Sequence, residues 1–158
     1  FHLQDREMAF CTGRCMCHHE VRHPFDVGDV KAMMDKLFTG RVRFHNGDGE
    51  LAPGITLHRT GGHSDGLQVV RVNTARGWVV LASDAAHFYA NIEQARPYPV
   101  VFNVGEMMEG YDIVKRLADS ADHIVPGHDP LVLRRYPAFS VETEGWIVRL
   151  DRQPISSC

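Results

Sequence analysis

Residues 55–84, ITLHRTGGHSDGLQVVRVNTARGWVVLASD, are the stretch on which the fold turns. Three aliphatic or β-branched runs stand out in it, at residues 55–59, 67–72 and 78–82. Runs of this length, separated by glycine-rich turns, read as strands. Thr74-Ala75-Arg76-Gly77 closes the last two into a hairpin. Between the first two lies Thr60-Gly61-Gly62-His63-Ser64-Asp65-Gly66. Its glycines let the backbone turn sharply and leave the His63 imidazole projecting from a strand end. The stretch ends on Asp84, directly after the apolar run Val79-Val80-Leu81-Ala82. An anion at the end of a buried strand is costly unless something compensates it, and a metal cation is a natural partner.

Working upstream, Asp26 is placed to cap a helix over residues 27–39. Val30, Met33, Met34, Leu37 and Phe38 recur at helical spacing there, and Gly40 stands at the stop. Val42 and Phe44 followed by Asn46-Gly47-Asp48-Gly49 read as a second hairpin. Residues 5–12 suit a short helix, and Phe1-His2-Leu3-Gln4 alternates like a strand already under way.

Downstream, Val104, Met107, Met108, Tyr111, Val114 and Leu117 put one apolar face on a helix over residues 104–118. That methionine and aromatic stripe reads as core packing. Ile124-Val125 is a short strand leading into Pro126-Gly127-His128-Asp129-Pro130, and Trp146 to Leu150 reads as a last strand. Strands and helices alternate with no repeat, low-complexity tract or linker, so residues 1–158 are expected to form one α/β domain.

Composition narrows the function classes. The net charge is −3, and hydrophobic and charged residues make up 44% and 23% of the chain, as in ordinary globular proteins. No basic stripe suits nucleic acid, and no apolar run reaches the roughly 18 residues of a membrane helix. The expectation is a soluble, cytoplasmic protein with a small-molecule partner, neither nucleic acid nor membrane; the sequence leaves the oligomeric state open.

Ten histidines are a reason to look for a site, since imidazole is both a zinc ligand and a base near neutral pH. Cys11, Cys15 and Cys17 precede His18, His19 and His23, with Cys158 at the end. This loop fits either a zinc-binding cluster or reduced thiols, and it lacks the paired C-x2-C knuckles of a zinc ribbon.

His63, Asp84 and His128 are the candidate ligands. His63 can be a loop residue or a ligand. Asp84 can cap a helix starting near Ala85, bind a metal, or do both. His128 is held between Pro126-Gly127 and Pro130, a rigid setting suited to a ligand, and Asp129 is placed to orient a ring from behind.

In order and local context these segments resemble the metallo-β-lactamase superfamily of hydrolases. The likeness covers nearly the whole chain. The stretches GGHSDGLQVV, LASDAAHFYANI and IVPGHDPLV are similar to the N-acyl homoserine lactonase branch. The resemblance implies an αβ/βα sandwich with two zinc ions at its edge. His63 would complete the first site, Asp84 would bridge the ions, and His128 would serve the second. The remaining ligands of such proteins come from an H-x-H-x-D-H loop, which this chain lacks. The resemblance therefore implies the C-terminal part of such a domain, incomplete at its N-terminus, with weak metal binding and an active parent protein.

The implied reaction is opening of a lactone ring, of N-acyl homoserine lactones first of all, by attack of a metal-bound hydroxide. Many members carry a tyrosine three residues after the bridging aspartate. Here that position is His87, with Tyr89 two residues further on, and either can face substrate, so Asp84 and His87 are the candidate catalytic residues. Three alternatives remain: hydrolysis of another ester, thioester or lactam; a non-catalytic zinc module built on the cysteine loop; and an inactive fragment with exposed apolar surface.

Overall fold

The computed structural model describes residues 1–155, so Cys158 lies outside the described residues. Its main element is a five-stranded sheet in the order β3-β4-β5-β6-β7. The strands are β3 (Gly49–Ala52), β4 (Ile55–Arg59), β5 (Gln68–Thr74), β6 (Gly77–Ser83) and β7 (Ile124–Pro126). β3 to β6 run antiparallel in sequence order, and Thr74 pairs with Gly77 across the expected hairpin. β7 lies parallel to β6. The connection between them carries α4 (Tyr89–Glu93) and α5 (Val104–Leu117), as a parallel pair requires a crossover. A two-stranded parallel sheet pairs β1 (His2–Gln4) with β2 (Arg43–His45). The other helices are α1 (Asp5–Cys11), α2 (His19–Arg22), α3 (Val27–Phe38) and α6 (Leu131–Arg135).

Side chains alternate across β6, and each face meets a different partner. Val80 and Ala82 join Val69 and Ile124 beneath Met107, Tyr111 and Val114 of α5. Val79 and Leu81 point the other way, toward Val125, Tyr136, Val148 and Leu150. The predicted apolar stripe of α5 is thus the core contact, except that Val104, in its first turn, is exposed. Asn103 caps α5 by accepting from the Glu106 amide at 3.1 Å, which orders a helix start that would otherwise leave bare N–H groups. Asp26 caps α3 through the Gly28 amide at 2.6 Å, as expected.

Two expectations fail. The turn at residues 46–49 does not close a hairpin: β2 pairs with β1, and β3 belongs to the other sheet. The reason is Gln4, which is 1% exposed. Its side-chain amide accepts from the Gly47 amide at 2.9 Å and donates to the Gly47 carbonyl at 2.8 Å. Gln4 therefore takes up the backbone groups of the turn, and the chain changes sheets there. Residues 146–150 likewise form no strand. The only ladder contact of this segment among the described residues is a bridge between Val148 and Ala138. Residues 137–139 offer too short a partner for more, and Trp146 stays exposed.

Candidate metal centre

Asp84, His87 and His128 converge where β6 and β7 end. Ser83 has φ 47°, in the left-handed region that L side chains avoid, and this bend turns the chain sharply at Asp84. Opposite it, Gly127 lies so close to Ser83 that a Cβ there would be 2.6 Å from the Ser83 carbonyl oxygen. The Gly127 amide donates to the Ala86 carbonyl and the His128 amide to the His87 carbonyl, each at 3.0 Å. These two bonds stitch the Pro-Gly-His loop to residues 86–87, so His128 is held against Asp84 by backbone.

The three side chains present one ligand atom each, all within 4.8 Å of one another, and this is the group of three or more His, Cys, Asp or Glu among the described residues close enough to share an ion. His128 Nε2 is 2.7 Å from Asp84 Oδ1. His87 Nε2 is 3.2 Å from the same oxygen, yet the approach is out of line and this buried nitrogen has no hydrogen-bond partner. The distance alone therefore makes no hydrogen bond, which needs a donor aimed at its acceptor. The His87 ring is fixed from the other side by Tyr98, stacked at 3.6 Å between centroids with planes 15° apart. The Tyr98 hydroxyl donates to the Asp84 carbonyl.

His63 stands beside this group without joining it. Its ring lies 6.0 Å from that of His87, and its Nδ1 is 2.8 Å from the Val100 carbonyl. A carbonyl only accepts, so Nδ1 carries the proton and Nε2 keeps the lone pair. The His63 loop is braced from behind. Gly62, at φ 90°, lies where a Cβ would strike the Met107 backbone of α5. The Glu7 carboxylate accepts from Ser64 Oγ at 2.7 Å and from the Gly66 amide at 2.8 Å.

The electrostatics suit a cation. Burial alone would raise the Asp84 carboxyl, but the hydrogen bond from His128 and the charges of His63, His128 and His87 outweigh it, and the carboxyl sits below its ordinary value. Burial, followed by the proximity of His128, lowers His87 below an ordinary histidine, which keeps it neutral near pH 7. Burial raises the Tyr98 phenol, so it remains a donor. An ionised carboxylate oxygen and two imidazoles, that of His87 with its Nε2 buried and unpartnered, form a donor set that fits a first-row divalent ion.

Other expected roles fall elsewhere. Asp84 does not cap a helix at Ala85, because the next helix, α4, begins at Tyr89. Tyr89 is buried with the Arg135 guanidinium 4.4 Å over its ring, so His87, not Tyr89, meets Asp84. Asp129 orients no ring; it accepts from the Tyr89 and Leu131 amides at 3.0 and 2.9 Å and so ties the starts of α4 and α6 together. Cys11, Cys15 and Cys17 are free thiols and make no ligand group with His18 or His19 among the described residues. The Cys11 thiol instead turns back to the Met8 carbonyl at 3.5 Å. The signal for His87 was its place where similar proteins carry a tyrosine, and the bend at Ser83 turns the chain between it and β6.

No protein-family model and no curated protein matches the sequence. Solved structures do. An N-acyl homoserine lactone hydrolase with the product N-hexanoyl-L-homoserine bound at its catalytic metal centre matches at 25% identity and a TM-score of 0.58, over 81% of this chain and 46% of that one. A dizinc quorum-quenching lactonase matches at 14% identity and a TM-score of 0.57, over 80% of this chain and 47% of that one. A hydrolase of the beta lactamase superfamily matches at 15% identity and a TM-score of 0.60, over 80% and 46%. The chain spans just under half the length of these proteins. No helix among the described residues is long and apolar enough to cross a membrane. On its own topology and on these matches, the chain has an α/β fold of the metallo-β-lactamase type.

Proposed function

We propose that this chain is the metal-binding part of a hydrolase that opens lactone rings, with N-acyl homoserine lactones as its substrate class. The observation that carries this reading is the meeting of Asp84, His87 and His128 at the ends of two central strands. The similarity to a lactonase with product at its metal centre supports it. Two zinc ions would fit the scheme: His63 would hold one, His128 the other, and Asp84 would be shared. The ion beside His63 would need donors beyond His63 and Asp84, since a catalytic zinc ordinarily takes about three protein ligands.

Zinc supplies an acidified water and polarises a carbonyl oxygen. The chain's own residues prepare for that chemistry. Asp84 stays ionised at neutral pH, and the neutral His87 keeps its Nε2 unpartnered beside it. Tyr98 and the Val100 carbonyl hold the His87 and His63 rings in place. Asp84 and His87 act as catalytic residues through their contact with the ion. The test is a panel of N-acyl homoserine lactones, simple esters, thioesters and β-lactams offered to the zinc-loaded protein, with acid release recorded. Lactone opening that stops on chelation, and drops at least about 100-fold in Asp84→Asn, is expected. Faster turnover of a thioester or β-lactam would reassign the substrate, and zinc bound without any turnover would sink the hydrolase.

A further inference from the structure

We infer that Asp84, His87 and His128 by themselves hold one divalent first-row cation on this chain, with His87 as a ligand and His63 outside that ion's shell. The inference rests on the metal centre of the proposed function but not on its substrate.

His87 carries the argument. Its Nε2 is buried and has no hydrogen-bond partner, although an acceptor oxygen lies 3.2 Å away. This nitrogen is one of four such atoms among the described residues, with Arg76 Nη1, the Tyr89 hydroxyl and Arg135 Nε, and of these it alone belongs to the group that converges on Asp84. An ion is a fitting partner for an imidazole lone pair beside a carboxylate. The ring is not free to turn away, because Tyr98 is stacked flat on it. Asp84 Oδ1 is 2.7 Å from His128 Nε2 and 3.2 Å from His87 Nε2. Two ligands of one tetrahedral zinc stand roughly 3.3 Å apart, so small side-chain shifts admit an ion among the three. His128 is half exposed, which leaves an approach from solvent.

Other clusters do not compete. His2 and His45 stack and share a contact at 2.8 Å between Nδ1 and Nε2, but they are two residues and satisfy each other. His63 is engaged through Nδ1 with Val100, and its ligand atom is not among those that converge. The pair of histidines three and 44 residues beyond Asp84 therefore forms a two-histidine, one-carboxylate set with open positions left for water or substrate.

The experiment is a Zn2+ titration of the chelator-stripped chain by calorimetry, repeated for His87→Ala and His63→Ala. One ion per chain is expected, with affinity reduced about tenfold or more in His87→Ala and by less than about threefold in His63→Ala. His87→Cys, which restores a zinc ligand, should recover binding. Folding of each variant is checked by circular dichroism. Should His87→Ala not fold, the unmutated chain still decides the matter: zinc must shift the imidazole 15N resonances of His87 and His128 and leave those of His63 nearly unmoved. Wild-type affinity in His87→Ala, an unmoved His87 resonance, or an ion lost on replacing His63 would each overturn the inference. Loss of lactone opening in His87→Ala with zinc still bound would also overturn it, while leaving the proposed hydrolase standing.

Discussion

Replacing Gly127 with alanine asks whether the nearness of two chain segments makes the metal centre. A Cβ at this position would lie 2.6 Å from the Ser83 carbonyl oxygen and 2.8 Å from its carbon. Ordinary contact begins near 3.4 Å, so the two segments must part by about 0.8 Å. The obstacle is backbone at the end of a central strand, already bent at Ser83, and it has no side chain to swing aside. Gly127 itself is not at positive φ, so the penalty comes from overlap alone and should be about 1–3 kcal/mol. A retreat of that size stretches the His128–Asp84 contact from 2.7 Å to about 3.5 Å, beyond hydrogen bonding. Zinc affinity should then fall about 10- to 100-fold. Urea unfolding of the metal-free chain and zinc competition with a chromophoric chelator read the two effects separately. Gly110→Ala is the control of opposite sign: in α5 its Cβ meets only Thr60, at ordinary distances of 3.4 and 3.9 Å, and a gain of up to about 1 kcal/mol is expected. Gly127→Ala with unchanged stability and unchanged zinc affinity would refute the reasoning.

Two further outcomes follow from other parts of the fold. Gln4→Ala strips both partners from the Gly47 backbone in a part-buried setting and should cost about 1–3 kcal/mol in urea unfolding; a loss under about 0.5 kcal/mol would mean that water replaces the side chain. The metal-free chain should lose stability on acidification in two steps. Below 6.5, the ordinary histidine value, the unfolded chain takes up a proton that folded His87 resists, so stability falls as pH drops through that window. Asp84 acts in the same sense below 3.8, because its folded carboxyl stays ionised after the unfolded one has protonated. His87→Gln should flatten the upper step in urea midpoints recorded between about pH 7 and pH 5, and an unaltered step would assign it to another group.

Much of the scaffold is written locally. The hairpin at residues 74–77 and the apolar stripe of α5 depend on neighbours a few residues away, and turn chemistry and side-chain period report them directly. The same holds for Asp26 and α3. The failures share a different cause. Asn46-Gly47-Asp48-Gly49 has hairpin chemistry, but a glutamine 43 residues away takes the backbone groups of the turn. Residues 146–150 have strand composition and no adequate partner.

The candidate metal centre divides along the same line. Asp84 and His128 were legible because an anion after a buried strand and a histidine among prolines are unusual on their own. Sequence by itself could place His87 near the chemistry but not say whether it faced substrate, faced solvent or met Asp84. That was decided by the left-handed bend at Ser83, the Gly127 contact that brings β7's loop alongside, and the Tyr98 ring stacked behind. Each of these is a packing relation between segments far apart in the chain, or a backbone state sustained by such packing, and residue type alone does not encode it.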